Sequence, residues 1–419
     1  MRIPAICLLA ITTACSEPRA GPPPVVMRDS AGIRIVENAS LELADSIAWV
    51  LDTANVVSIG ELDGPDMYVF GQVAGVTRQN NGRIVVADRQ AHQVRFFGPD
   101  GRFSHAVGRA GGGPGEYINV HYLLRHNADS LIVIDYEGGR INILDPEGKW
   151  VRSFRLEVKD GEQRPRNSSP TEWAVFDDGS LLISDHVGTC RSSRDDGAVC
   201  ADSARFSRVT MTGQPITRYG ILLYMRYQFL TSPKGLRINA AGWHPQASWS
   251  VQGARFYHAD ATSLAFNTFG STGNLERITR TAYQRPPVRA NVLAPSRPVA
   301  DLTPQERDRQ TDVDAGLANA RRPDQAPAFA GLMVDRTGNV WLQEHPAGMS
   351  QPAVPRWFVF DTIGTLRASI RVPINLTRRP LYRWQGEIGD DYVLGVANDE
   401  GIEVVRLYPL IKRLNKMNE

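Results

Sequence analysis

Apolar and polar residues alternate in short runs along most of the chain, and helical periodicity is rare. Residues 83–88 (RIVVAD), 94–97 (VRFF) and 131–135 (LIVID) are typical: four to six residues rich in Val, Ile and Phe, bounded by Gly, Asp, Asn or Pro. Such runs predict short strands joined by tight turns. They also recur. Residues 83–101 (RIVVADRQAHQVRFFGPDG) align with 130–148 (SLIVIDYEGGRINILDPEG), and Asp88 to Asp135, Gln93 to Arg140 and Gly101 to Gly148 are each 47 apart. The eight-residue step from the start of the second run to its turn glycine returns as Gln93 to Gly101, Arg140 to Gly148, Arg205 to Gly213 and Arg356 to Gly364. A weaker copy runs from Ala265 to Gly273, and a sixth, weaker still, lies within residues 391–408.

Four antiparallel strands in about 47 residues is the size of a propeller blade, so six copies predict an all-β, six-bladed β-propeller. Residues 56–60 and 63–68 echo 106–108 and 112–117, a stretch that in the later copy ends one blade and leads into the next. The earlier copy has no blade before it. The N-terminal strands are therefore expected to complete a blade begun by the C-terminal ones, closing the ring and removing its exposed edges.

The run 108–117 (GRAGGGPGEY), followed by Asp135 through Arg140, resembles an NHL repeat, in which a G-x-G-P-G-E-aromatic linker precedes a strand ending in Asp and a second opening with Arg-Ile. Residues 30–37 (SAGIRIVE) and the overall layout resemble bacterial six-bladed propeller lipoproteins of uncharacterised function. The resemblance implies fold and surface exposure and carries no activity.

The first residues point to a compartment. Met1 and Arg2 precede an apolar stretch, residues 3–11, that ends at Thr12, Thr13, Ala14 and Cys15. This reads as an export signal of residues 1–15, too short for the roughly 20 residues a membrane span needs. Its end resembles a bacterial lipobox, which would make Cys15 the lipidated first residue, and Ser16 after it favours the outer membrane. The alternative is cleavage near Ala14 and a periplasmic protein. Residues 16–25 are Pro-rich and polar, as a tether should be, leaving 26–419 as one propeller. Cys190 and Cys200, ten apart, are expected to form a disulfide in an oxidising compartment. A metal site is the rival reading, but no second cysteine pair exists to complete it.

Composition narrows the rest. Of 419 residues, 42% are hydrophobic and 22% charged, with 47 basic against 45 acidic. Without a basic stripe, a nucleic-acid partner is not expected. Between the fourth and fifth copies, residues 281–327 form an insertion. There Thr303, Pro304 and Glu306 make a helix-start pattern, which predicts a helix to about Arg321 that could serve as a lid or a partner-binding element.

Three groups of residues could carry chemistry. Asp135 and Arg140 are expected to pair across a hairpin, with Asp88 and Gln93 as a neutral version. The same strand ends place Asp88, Tyr136, Asp185, His186, His258, Asp260, Glu344 and His345 on one face. The innermost strands, predicted near residues 70–76, 119–124, 172–176, 242–246, 329–334 and 382–385, would bring Gln72, His121, Glu172, Trp173, Trp243, His244 and Trp384 to the channel. A mixture of tryptophan and polar groups suits sugar or peptide ligands. The glycine run 108–117 lacks the following helix a phosphate loop requires.

The reading is a ligand- or protein-binding module at the cell envelope, reaching the membrane only through a lipid anchor. The alternative is a metal-dependent hydrolase or lyase of the lactonase-like propeller type, with its site at the channel mouth. No cofactor and no metal ligands are assigned. Ca²⁺ or another divalent metal belongs to the alternative only.

Overall fold

The computed structural model describes residues 24–45, 48–158, 173–187, 190, 197–288, 303–318, 320–347, 354–378, 383–384, 386–399 and 401–413. Its strands form a six-bladed β-propeller. The first blade is Val73–Arg78, Ile84–Asp88, Gln93–Phe97 and Phe103–Val107. The second is Val120–Arg125, Leu131–Asp135, Arg140–Leu144 and Trp150–Phe154. The third has Trp173–Val175, Leu181–His186, Val199–Val209 and Pro215–Ser232, and adds a fifth strand, Gly235–Ala240. The fourth is Ser248–Gln252, Arg255–Ala259, Ala265–Phe269 and Leu275–Thr281. The fifth is Phe329–Val334, Val340–Glu344, Arg356–Phe360 and Leu366–Arg371.

The sixth blade takes strands from both ends of the chain. Glu387–Ile388, Tyr392–Asp399 and Ile402–Arg413 form its inner part, and the N-terminal strands Ala48–Leu51 and Val57–Ile59 both pair with Ile402–Arg413. The ring closes as the repeat predicts. A separate apolar cluster fills each seam between neighbouring blades. Phe96 and Val94 of the first meet Tyr117, Leu131 and Val133 of the second, for instance, and Tyr392, Leu394 and Val405 of the sixth meet Phe97, Val76 and Val86 of the first. Each blade thus buries both faces, which is why its strands read as β-branched and aromatic runs.

The recurring turn glycine has a physical cause in these seams. Gly101, Gly148, Gly213, Gly273 and Gly364 all have positive φ, between +78° and +91°, at the turn from third to fourth strand. The register of each of these pairs shifts by one residue just before the turn. This is a bulged hairpin that needs a left-handed residue. Each glycine also abuts the preceding blade: a Cβ on Gly148 would lie 2.6 Å from Phe96, and one on Gly273 2.6 Å from the Arg218 carbonyl.

Two additions surround the ring. The hairpin Val25–Ser30 and Ile33–Asn38 extends the fourth blade, Ile33–Asn38 running parallel to Leu275–Thr281. Asn38, buried at its end, donates to the carbonyls of Arg280 (3.2 Å) and Gly364 (3.1 Å) and accepts from the Leu366 N–H (2.8 Å), riveting the fourth blade to the fifth. The chain then makes a 3₁₀ turn, Leu41–Asp45, whose Ala44 is buried in the seam between those blades, before reaching the sixth. In the insertion, the helix Pro304–Ala318 lies on the long strand Pro215–Ser232. Its Asp312 accepts from the Lys234 N–H at 3.1 Å, and Asp308 pairs with the Lys234 ammonium. The Cys190–Cys200 disulfide is present, closing the loop between the second and third strands of the third blade.

Candidate functional site

The innermost strands surround a cavity of about 560 Å³, to which all six blades contribute. Its lining residues come from the ends of these strands and the turns after them. Val76, Leu124, Val175, Val251, Val334 and Ile388, one per blade, supply apolar wall. The charged lining residues are Arg125, Asp129, Asp177, Arg336 and Glu387.

Four of these five are engaged with one another. Arg125 donates to Asp129 at 3.2 Å and to the Asn80 side-chain oxygen at 3.0 Å. Arg336 forms an ion pair with Glu387, whose carboxylate also accepts the Thr77 and Tyr392 hydroxyls and the Arg78 N–H (3.3 Å). Glu387 therefore ties the first, fifth and sixth blades at the cavity. Burial, and then the neighbouring Glu387 charge, push the Tyr392 hydroxyl well above the usual tyrosine range, so it stays a donor.

Asp177 differs. It is exposed, and among the described residues its carboxylate has no ion pair or hydrogen bond. Its backbone N–H is held by the Gly253 carbonyl of the fourth blade at 3.3 Å. The adjacent Asp178 is taken by Arg208 (2.6 Å) and the Ser180 hydroxyl. His126, also in the lining, packs on Gly179 so closely that a Cβ there would sit 2.3 Å from its ring. Burial, then the Arg152 charge, lowers its pKa below the ordinary histidine value.

The strand ends singled out in the sequence lie away from this cavity. Second strands run antiparallel to innermost ones, so Asp88 pairs with Val73, Asp135 with Val120 and Glu344 with Phe329, at the starts of the innermost strands. These residues are distributed among local contacts. Asp135 is fully buried; it accepts the N–H groups of Ile118, Asn119 and Gly138 and pairs with Arg140 at 3.2 Å. Asp88 accepts from Gly71, Gln72, Gln90 and Ala91. Its cross-strand neighbour is Gln93, yet a charged partner is present as well: Arg95 reaches it at 3.4 Å, so this copy is not neutral.

His186 lies 3.3 Å from Asp202 and stands edge-on to Tyr224 at 4.2 Å; Asp185 pairs in register with Arg205. Buried His258 donates to the Leu223 carbonyl at 2.8 Å, Asp260 caps its own turn through Thr262, and His345 accepts from the Ala347 N–H. Glu344 ends its strand. His121 is buried, stacked 5.1 Å from exposed Tyr136, near Arg89, whose backbone N–H donates to the Gln72 carbonyl. Among the described residues, no three His, Cys, Asp or Glu side chains are placed to hold one metal ion.

Two predicted innermost strands, and with them three channel residues, are corrected. The fourth blade's innermost strand is Ser248–Gln252, so Trp243 and His244 sit in the turn before it. Trp243 is buried beneath Arg322 at 4.8 Å, and His244 donates to the Arg321 carbonyl at 3.1 Å. The sixth blade's innermost strand is Glu387–Ile388; Trp384 belongs to a separate two-stranded ladder with Thr377–Arg378. Glu172 and Cys15 lie outside the described residues, and Trp173, though on an innermost strand, has no described side chain. The cavity charges are not among the residues the sequence pattern singles out, although it carries a trace of them: Arg125, Asp177 and Arg336 each close or follow an innermost strand.

A family model agrees on the class of fold: residues 52–161 match one described as a 6-bladed beta-propeller. The structure of a member of the duf4221 family from Bacteroides vulgatus is similar over 88% of this chain and 99% of its own, at 10% identity and a TM-score of 0.50. An exported-protein candidate from Bacteroides fragilis is similar over 90% and 98%, at 14% identity and a TM-score of 0.49. Virginiamycin B lyase from Staphylococcus aureus is similar over 87% and 100%, at 9% identity and a TM-score of 0.39. No curated protein matches the chain.

Proposed function

We propose that the protein is an exported, lipid-anchored propeller that binds a small ligand in its central cavity at the cell envelope. The observation that carries this reading is the cavity itself. At about 560 Å³ it falls in the range of small-molecule sites, and six blades converge on it with an apolar wall and a few charged groups. Export rests on the apolar residues 3–11 ahead of Cys15, and it accords with the Cys190–Cys200 disulfide.

Calorimetric titration and thermal shift of the full-length protein in detergent, against panels of glycans, short peptides and amphiphilic small molecules, test the binding reading. A ligand whose binding is lost in Val251→Trp, which fills the cavity, supports it; ligands that bind equally well to that variant overturn it. The reading assigns no metal, and stoichiometric Ca²⁺ or Zn²⁺ in equilibrium dialysis would overturn that part. Replacing Cys15 with Ser is expected to move the protein from the membrane to the soluble fraction.

A further inference from the structure

We propose that the cavity selects ligands bearing a positive charge: an amine on an apolar body of small-molecule size, its ammonium held by Asp177. The proposal rests on the binding reading above and adds the chemical class of the ligand.

The charges that line the cavity set its sign. Arg125 is matched by Asp129 and Arg336 by Glu387, so neither guanidinium is left to attract an anion. Asp177 is the carboxylate that remains, and no cation among the described residues pairs with it. The histidine of the lining does not offset it, because burial keeps His126 neutral at pH 7.5. The cavity therefore carries about one net negative charge beside apolar wall. An apolar amine answers both features: its body replaces water against Val175, Val251 and Ile388, and its ammonium meets a carboxylate whose backbone is already fixed by the bond from Asp177 to Gly253. Because the pairing takes place at an exposed carboxylate, affinity for the amine should fall as salt rises.

The test uses three probes that share one apolar body, 4-phenylbutylamine, 4-phenylbutanol and 4-phenylbutyrate, titrated into the full-length protein at pH 7.5. The amine is expected to bind about tenfold tighter than the alcohol, and the carboxylate weakest. Asp177→Asn should bring the affinity of the amine down to about that of the alcohol. Since Asp177 is exposed and its side chain makes no hydrogen bond or ion pair among the described residues, that variant should melt as the parent does. Equal binding of amine and alcohol, or a preference that survives Asp177→Asn, would overturn the charge selection and leave the cavity reading intact. Binding of all three that persists in Val251→Trp would overturn both.

Discussion

Ile59 and Val405 are direct neighbours on adjacent strands, although one comes from the first seventh of the chain and the other from its end. Next to them the Glu403 carboxylate accepts the Val73 N–H at 2.5 Å, so the last blade also grips the first strand of the first blade. Deleting residues 391–419 removes this seam and leaves Phe97, Val76 and Val86 uncovered. The expected result is cooperative unfolding of the whole ring, seen as loss of the single thermal transition. A truncated chain that melts at the parental temperature would contradict closure.

Replacing Asp135 with Ala strands three backbone N–H groups and the Arg140 guanidinium in a buried setting. The cost should be about 3 to 5 kcal/mol, as for removal of one partner of a buried pair. Urea denaturation measures it. Ligand binding per folded molecule should be unchanged, since Asp135 is at the end of its blade away from the cavity.

Gly148→Ala combines two penalties, a left-handed backbone and a Cβ pressed on the Phe96 ring. Gly253 is also left-handed (φ +61°) but has open space around it. Gly148→Ala should therefore destabilise by about 2 to 4 kcal/mol, against about 1 kcal/mol for Gly253→Ala. Equal losses in denaturant would show that the close approach to the preceding blade contributes nothing.

Burial lowers the pKa values of His258, His244 and His126 relative to the unfolded chain. Below the ordinary histidine value of about 6.5 the unfolded state binds protons that the folded state refuses. These residues therefore cost nothing above that pH, and stability falls as the pH drops through it. Each contributes a slope of up to about 1.4 kcal/mol per pH unit. His258→Gln, which can still donate to the Leu223 carbonyl, should remove one such share between pH 6.5 and 5. Parallel stability curves for the two proteins would contradict this.

Reducing the Cys190–Cys200 disulfide frees a ten-residue loop of the third blade. The loss expected from chain entropy is about 2 to 3 kcal/mol. Denaturant midpoints with and without reductant measure it, and the Cys190→Ser, Cys200→Ser double variant should be indifferent to reductant.

The blade count, the turn glycines and the closure by both termini are legible in the sequence because each depends on local chemistry repeated at a fixed step. The errors fall where a copy departs from that step. The third blade keeps Gly235–Ala240 as an extra strand, which displaces the next innermost strand from 242–246 to Ser248–Gln252. The sixth has no glycine-rich linker to set its start, and its innermost strand shrinks to Glu387–Ile388. The cavity is harder still. Arg125, Asp177 and Arg336 are unremarkable charges after strands when read singly. Their significance comes from ring convergence and from which of them finds a partner, and linear spacing records neither.

The belt formed by Val25–Ser30, Ile33–Asn38, Ala48–Leu51 and Val57–Ile59 precedes by a long stretch of chain the strands it is fastened to, Leu275–Thr281 and Ile402–Arg413. Such distant pairings are slow to form, because loop closure must precede any gain from contact. The hairpin Val25–Ser30 and Ile33–Asn38 can form by itself, but it and the strands after it take their places on the ring only once these distant partners are in place. The same strands that lock the finished ring therefore also set how late it locks.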